Sequence, residues 1–255
     1  MNIHEIGAYL DQVPMASLNL EISRFRGDPR AGVQKLLDKY EKRLAAYRAE
    51  LLRLDHMMLY ERKYEDCGLV AGIDEAGRGP LAGPVVAAAV ILPKDHPILY
   101  VNDSKQLSEK KREELYDVIM RDAVSYGVGM AGEKVIDEIN ILQATYLAMK
   151  EAFSKLSPKP GVTLNDAVTV PGIPVRQVPI IKGDAKSASI AAASIIAKVT
   201  RDRLMLKYDE LYPEYGFRSH KGYGTREHVE ALKKYGPCEI HRQTFIQGIM
   251  GLDDE

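Results

Sequence analysis

The stretch GIDEAGRGPLAGPVVAAAV, residues 72–90, decides how the chain is read. An acidic pair, Asp74 and Glu75, closes an apolar run, and glycine and proline then dominate as far as Pro84. LVAGID (69–74) reads as a short buried strand, GPLAGP as turn material and VVAAAVIL (85–92) as a second strand, which together predict a hairpin. Outward from it, AVSYGVGMA (123–131) predicts a third strand whose glycines would mark a bulge, VTLNDA (162–167) a fourth and VRQVPII (175–181) a fifth. Ser108 can cap a helix over EKKREELYDVIM, and a second helix over 133–156 should break near Asn140 and stop at SPKPG. A long helix is expected over 185–208, with small residues in SIAAASIIAK that let it lie close on a sheet, and shorter ones over 226–235 and 244–250. A three-stranded meander followed by strands separated by connections predicts a mixed α/β sheet flanked by helices.

Residues 1–66 have a different texture. Asp28 is placed to cap a helix with Pro29 at its first position, and apolar residues follow at Val33, Leu37, Tyr40, Leu44, Tyr47, Leu51, Leu54 and Met58. Their alternating four-and-three spacing is a heptad seam, so an all-helical extension over 1–66 is expected ahead of a second region over 67–255. Its role is structural packing or, alternatively, a substrate-binding arm.

Composition excludes several classes. With 255 residues, 45% hydrophobic and 28% charged, the chain is that of an ordinary globular protein with a sizeable core. Its two cysteines, Cys67 and Cys238, have no metal-ligand spacing and do not suggest a disulfide scaffold, and a reducing cytoplasm fits. The stretch MNIHEIGAYLDQVP lacks a basic region followed by an apolar core, so no signal peptide is expected, and no apolar run is long enough to span a membrane. A formal net charge of -1 argues against bulk electrostatic attraction to nucleic acid. Residues 176–207 nevertheless carry seven basic residues against two acidic ones, either a solvated helix face or a local binding stripe.

Acids recur where strands end. Asp74 and Glu75 close the first strand, Asp166 the fourth, and Asp184 follows the fifth in IIKGDAKS. If strands one, four and five run parallel, all four carboxylates reach one edge of the sheet, where active sites of such folds gather. Clustered carboxylates raise one another's pKa or require a cation, and hard oxygen ligands suit Mg²⁺ or Mn²⁺. A pair of such ions would stabilise the attacking and leaving oxygens of a phosphodiester displacement. Adjacent strand residues face opposite ways, so a shared site predicts a backbone bend at Glu75. Each acid taken singly is also a common turn former or helix cap, Asp184 especially.

Three further groups fit a nucleic-acid chain. Gly77 and Gly79 allow backbone N–H groups close to a sugar-phosphate; a tight hairpin turn is the alternative, which GPLAGP alone could satisfy, and Arg78 between the glycines favours phosphate contact. Tyr223, between Gly222 and Gly224, is either a stacking platform or a half-buried loop residue. Lys105, in NDSK, could meet a phosphate, or its neighbours Asp103 and Ser104 simply form a turn.

GIDEAGRGPLAGPVVAAAVIL, NDSKQLS, IIKGDAKSASIAAASIIAKVTRD, YPEYGF and HKGYGT together resemble bacterial ribonuclease HII, the type 2 ribonuclease H, over residues 69–250. The resemblance implies a ribonuclease H-like fold with a mixed five-stranded sheet. It also implies metal-dependent endonucleolytic cleavage of the RNA strand of RNA–DNA hybrids and at ribonucleotides embedded in duplex DNA. Carried over by motif, Asp74, Glu75, Asp166 and Asp184 would be the catalytic metal ligands for two Mn²⁺ or Mg²⁺ ions. Gly77, Arg78 and Gly79 would grip the ribonucleotide, and Tyr223 would stack on the sugar that follows it. Lys105 and Lys198 would contact phosphates. The products would be 5′-phosphate and 3′-hydroxyl ends. A cytoplasmic monomer is expected, with a replication clamp or polymerase as a candidate partner. Another nuclease of the same fold, of the resolvase or transposase type, and a non-catalytic hybrid-binding module are the alternatives. One departure stands out: relatives read closer to VDG where this chain has Asn165-Asp166-Ala167, so a turn glycine is missing.

Overall fold

The computed structural model describes residues 1–96 and 98–251, and the last four residues of the expected second region, 252–255, lie outside the described residues. All five expected strands form one sheet: β1 (Val70–Ala76), β2 (Val85–Ile91), β3 (Ser125–Ala131), β4 (Val162–Asp166) and β5 (Arg176–Ile180), in the order β3-β2-β1-β4-β5. β2 pairs antiparallel with β1 and with β3, whereas β4 pairs parallel with β1 and β5 parallel with β4. Parallel pairing aims the carboxyl ends of β1, β4 and β5 at the same edge, which is the arrangement the dispersed acids require.

The helices, in chain order, are α1 (Ile3–Gln12), α2 (Leu18–Ser23), α3 (Ala31–Met57), α4 (Leu59–Lys63), α5 (Glu109–Asp122), α6 (Glu133–Ser154), α7 (Ala188–Leu211), α8 (Phe217–His220), α9 (Arg226–Tyr235) and α10 (Gln243–Met250). α6 covers one sheet face, where Ala71, Ile73, Val85, Ala87 and Ala89 meet Ala144, Ala148, Met149 and Ala152. Asn140 breaks α6 as expected: its φ is 68°, and its Oδ1 accepts from the N–H groups of Leu142 and Gln143, restarting the helix. The β3 glycines make no bulge, because the β2–β3 register is continuous. A Cβ at Gly127 would stand 2.1 Å from the Ala152 carbonyl oxygen, so they admit α6 instead.

α7 covers the other face, over Val70, Val162 and Leu164. Its small residues do allow the close approach expected of them, and Gly72 completes it: a Cβ there would lie 2.1 Å from the carbonyl carbon of Ser189. The helix starts later than expected. Ser187 is its N-cap, accepting from the Ile190 N–H, and Asp184 sits before it in a short 3₁₀ turn over Gly183–Ala185. Asp184 is therefore not the cap of this helix.

The chain clusters into two compact units, Met1–His56 and a second beginning at Met57. In the first, Ile6 and Leu10 of α1 and Leu18 and Ile22 of α2 pack with Val33, Leu37, Tyr40 and Leu44 of α3. Further along the seam Tyr47 is half-buried and Leu51 exposed, while Leu54 is buried again. α3 also begins two residues late: the Arg30 carbonyl accepts from Val33 and Gln34, and the Asp28 carboxylate takes the Arg30 N–H instead of capping the helix.

Candidate active site

Asp74 and Asp166 lie on neighbouring parallel strands, one residue beyond the last register pair, Ile73 with Asn165. Strands in a sheet stand about 4.8 Å apart, so these two carboxylates start from adjacent backbones. Both share the α7 face with Val70, Val162 and Leu164, because side chains alternate along a strand. Asp184 joins them from the turn after β5, where the Gly183 N–H donates to Asp166 Oδ1 at 2.7 Å.

Glu75 arrives differently from the expectation. β1 continues in regular register through Ala76, with Glu75 opposite Ala87, so there is no bend at Glu75. Its side chain starts on the α6 face, but past Ile73, where β1 has no further partner on the β4 side. It still feels the Asp166 charge, and Arg78 Nη1 donates to Glu75 Oε1 at 3.4 Å. Proximity at the rim replaces the kink.

The electrostatics follow from burial. Asp74 is 6% exposed, and burial first, then the charges of Glu75, Asp166 and Asp184, push its carboxyl well above the usual range. Burial likewise raises Glu75, against the lowering effect of Arg78, and raises Asp184 together with Asp103 and Asp166. Two like charges about 5 Å apart at an effective dielectric near 20 repel by roughly 3 kcal/mol, so four cannot stay ionised side by side without a positive partner. Lys105 is one such partner: its Nζ lies 3.9 Å from Asp184 Oδ2. Partial burial works against its ammonium, but Asp103, Asp184, Asp74 and Asp166 together outweigh that and raise its pKa.

Divalent cations fit the remaining charge. Among the described residues, no group of three or more His, Cys, Asp or Glu side chains is arranged to hold a metal ion by itself. Mg²⁺ is ordinarily held by one or two carboxylates, water and substrate phosphates rather than by a complete protein shell, so an open set of acids suits it.

A cleft of about 290 Å³ brings most of the expected residues together: Asp74, Glu75, Gly77, Arg78, Gly79, Lys105, Lys198 and Tyr223 line it, with Ser104 and Arg201. Asp166 and Asp184 adjoin these through the contacts above. Tyr223 is 45% exposed, and its ring stands against Gly79, where an added Cβ would lie 3.8 Å from Cε1. The two glycines of the turn divide their work. Gly77 has φ +92°, and a Cβ on it would strike the Arg201 side chain at 2.1 Å, so the fold itself requires it. Gly79 meets only Tyr223, so no packing within the chain forbids an alanine Cβ there. Lys198 lies in the cleft, paired with Asp202 at 2.8 Å.

Several residues around the site were not legible in the sequence. Arg201, counted above in the basic stripe, is buried and donates to the carbonyls of Pro84, Ala82 and Lys221. Arg242, also buried, donates to the carbonyls of Gly77, Arg78 and Gly83. Burial first, then the neighbouring Arg201 charge, holds Arg242 down at about 9. Arg242 thus holds the Gly-Arg-Gly turn by its carbonyls, while Arg201 holds the Ala82–Pro84 stretch after it and packs against Gly77. Arg203 pairs with Glu113, so the stripe is divided among separate tasks instead of forming one face. Glu61 of α4 is buried and Oε1 accepts from Ser187 Oγ, Ser189 N and Ser189 Oγ, which anchors the start of α7 just after Asp184. The available signal for Arg201 was its place at the Ile190, Ser194, Ala197, Arg201 spacing of a buried helix stripe.

The family model "Ribonuclease HII" matches residues 71–248, and "Ribonuclease HII N-terminal domain" matches residues 2–65. The chain belongs to the ribonuclease HII family. The ribonuclease HII of Lachnoclostridium phytofermentans is 60% identical over 226 residues, 89% of each chain. Among solved structures, ribonuclease H2 from Pyrococcus horikoshii OT3 matches with a TM-score of 0.61 and 31% identity, covering 72% of this chain and 98% of that one. Ribonuclease HII from Archaeoglobus fulgidus, solved as a complex with PCNA, matches with a TM-score of 0.55 and 30% identity, over 68% and 93%. The expected ribonuclease H-like fold is thus present, and the chain is a type 2 ribonuclease H, a metal-dependent endoribonuclease that acts on RNA–DNA hybrids. No helix among the described residues is long and apolar enough to cross a membrane.

The missing glycine of the ribonuclease HII turn is explained locally. Ala167 adopts φ 56°, the left-handed conformation a glycine would take, and its N–H donates to the Ile180 carbonyl. The turn is kept, and Asp166 with it.

Proposed function

We propose that Asp74, Glu75, Asp166 and Asp184 hold two divalent cations, Mg²⁺ or Mn²⁺, over a phosphodiester 5′ to a ribonucleotide, including a single one embedded in duplex DNA. The observation that carries this reading is the convergence of Asp74, Asp166 and Asp184 on one face at one sheet edge, with Glu75 at the rim. When bound, the cations supply Lewis-acid stabilisation of the attacking and departing oxygens, leaving 5′-phosphate and 3′-hydroxyl ends. The chain's own groups do the rest. Gly183 orients Asp166, and Arg78 offsets the Glu75 charge and faces an incoming phosphate. Lys105 and Lys198 line the phosphate path. The Gly77–Gly79 backbone reads the 2′-hydroxyl, the one group that distinguishes RNA from DNA at a given site. Tyr223 offers a ring to the sugar beyond the ribonucleotide.

Residues 1–66 and 67–255 are proposed as the functional division, the helical extension and the catalytic region, in keeping with the two separate family matches. A cytoplasmic monomer is the form proposed. The Archaeoglobus complex supports a replication clamp as a partner.

The deciding experiment incubates the protein with duplex DNA bearing one ribonucleotide, with Mg²⁺, with Mn²⁺ and with chelator. Metal-dependent nicking on the 5′ side of the ribonucleotide is expected. Metal-independent nicking, or binding with no nicking, refutes the assignment.

A further inference from the structure

Tyr223 lies on a loop, yet its main chain is fixed from the protein interior. Its carbonyl accepts from the Thr225 N–H at 2.8 Å and lies 2.9 Å from Nδ1 of His228, a fully buried residue on α9. His228 Nε2 in turn meets Nε2 of the buried His241 at 3.1 Å. The backbone assigns the protons. The Cys238 N–H donates to His241 Nδ1 at 2.9 Å, so the proton of neutral His241 is on Nε2 and points at His228. His228 Nε2 is then an acceptor, and its own proton is on Nδ1, facing the Tyr223 carbonyl. Burial favours the neutral form of both rings, and both are held below the ordinary imidazole range. The next residue, Arg242, holds the Gly77 and Arg78 carbonyls at 2.6 and 2.8 Å. One continuous path therefore ties the Gly-Arg-Gly turn to the loop that carries the tyrosine.

We propose that His228 is a specificity-determining positioning residue: by donating from Nδ1 to the Tyr223 carbonyl it sets the tyrosine ring at its distance from Gly79, and so favours a ribonucleotide followed by DNA over a uniform hybrid. This rests on the reading of Tyr223 as the stacking platform. A purely structural His228–His241 core pair would serve every substrate alike.

Side-chain amides separate the two roles, since Asn places an N–H near the Nδ1 position and Gln places its amide near Nε2. The readout is kcat/KM on duplex DNA with one ribonucleotide divided by kcat/KM on a uniform RNA–DNA hybrid, with melting temperatures alongside. Tyr223→Ala should lower this ratio by about tenfold, the size of a lost stacking contact. His228→Gln should lower it in the same direction, and His228→Asn should restore it to near the wild-type value. Equal ratios for the Asn and Gln variants, or parallel losses on both substrates, overturn the proposal. If Tyr223→Ala leaves the ratio unchanged, the stacking reading falls and this proposal with it. If that variant lowers the ratio and His228→Gln does not, only the His228 proposal falls. Imidazole ¹⁵N NMR of the wild-type protein needs no variant to fold: a neutral Nδ1–H tautomer at His228 is expected, and an Nε2–H tautomer overturns it.

Discussion

The Gly183 N–H donates to Oδ1 of Asp166 at 2.7 Å, so the acid at the end of β4 is oriented by the residue next to Asp184. A backbone hydrogen bond thus couples two carboxylates that the sequence separates by a strand and two turns. It leaves Asp166 Oδ2 as the oxygen without this bond, and it makes the placement of Asp184 depend on that of β5.

Asp74→Asn should abolish nicking, with a loss on the order of a thousandfold or more if cation binding is the main source of transition-state stabilisation. The same variant should be more stable than the wild type in chelator, because it removes a buried charge repelled by three others. Each 1 kcal/mol gained raises Tm by about 2–4 °C for a chain of this size. Thermal melts check this, and a lower Tm for the variant would contradict the repulsion.

That gain should depend on pH. The folded pKa of Asp74 is raised, so its charge costs stability only above the ordinary carboxylate range, where the unfolded chain ionises and the fold resists. The difference in Tm between Asp74→Asn and wild type should vanish near pH 3.5 and grow toward pH 8. Adding Mn²⁺ should raise the wild-type Tm at pH 8 and raise that of the variant much less.

The histidines act in the opposite sense. Burial first, then the His228 charge, holds His241 down at about 4. An unfolded imidazole ionises near 6.5, so between roughly 6.5 and 4 the unfolded chain takes up protons that the folded one refuses. Their contribution is fully present above that window and is lost as pH falls through it. Melts of Asp74→Asn, which lacks the largest opposing carboxylate effect, should show the decline most clearly.

The glycines make a matched pair of tests. Gly72→Ala would put a methyl carbon 2.1 Å from the Ser189 backbone, an overpacking that costs about 1–3 kcal/mol or more and displaces the start of α7. Gly79→Ala meets only the edge of Tyr223 and should leave Tm nearly unchanged while impairing cleavage. Unimpaired kinetics in the second variant would remove Gly79 from the substrate surface.

Ala167→Gly should stabilise the protein by about 1 kcal/mol, because the left-handed conformation strains alanine and not glycine. Denaturant unfolding checks it. No gain would mean that the unfolded-state entropy of the new glycine offsets the relief.

The sequence alone carried the element order, the meander, the break at Asn140 and the close-packed α7, because each depends on local periodicity, turn residues or side-chain size. It also carried the acids, since a carboxylate at a strand end needs only the strand to be recognised. Where Glu75 points, why β3 has glycines, and which basic residues are buried depended on what packs against them. Arg201 and Arg242 look like surface charges in sequence. Their partners are backbone carbonyls up to 165 residues away, and a carbonyl has no signature in the sequence. The heptad seam shows the same limit: its period was plain, but which of its positions are buried, Leu54 and not Leu51, was not. Periodicity and residue chemistry are properties of the chain itself, whereas burial and hydrogen-bond partnership are properties of pairs of segments, and only folding brings those pairs together.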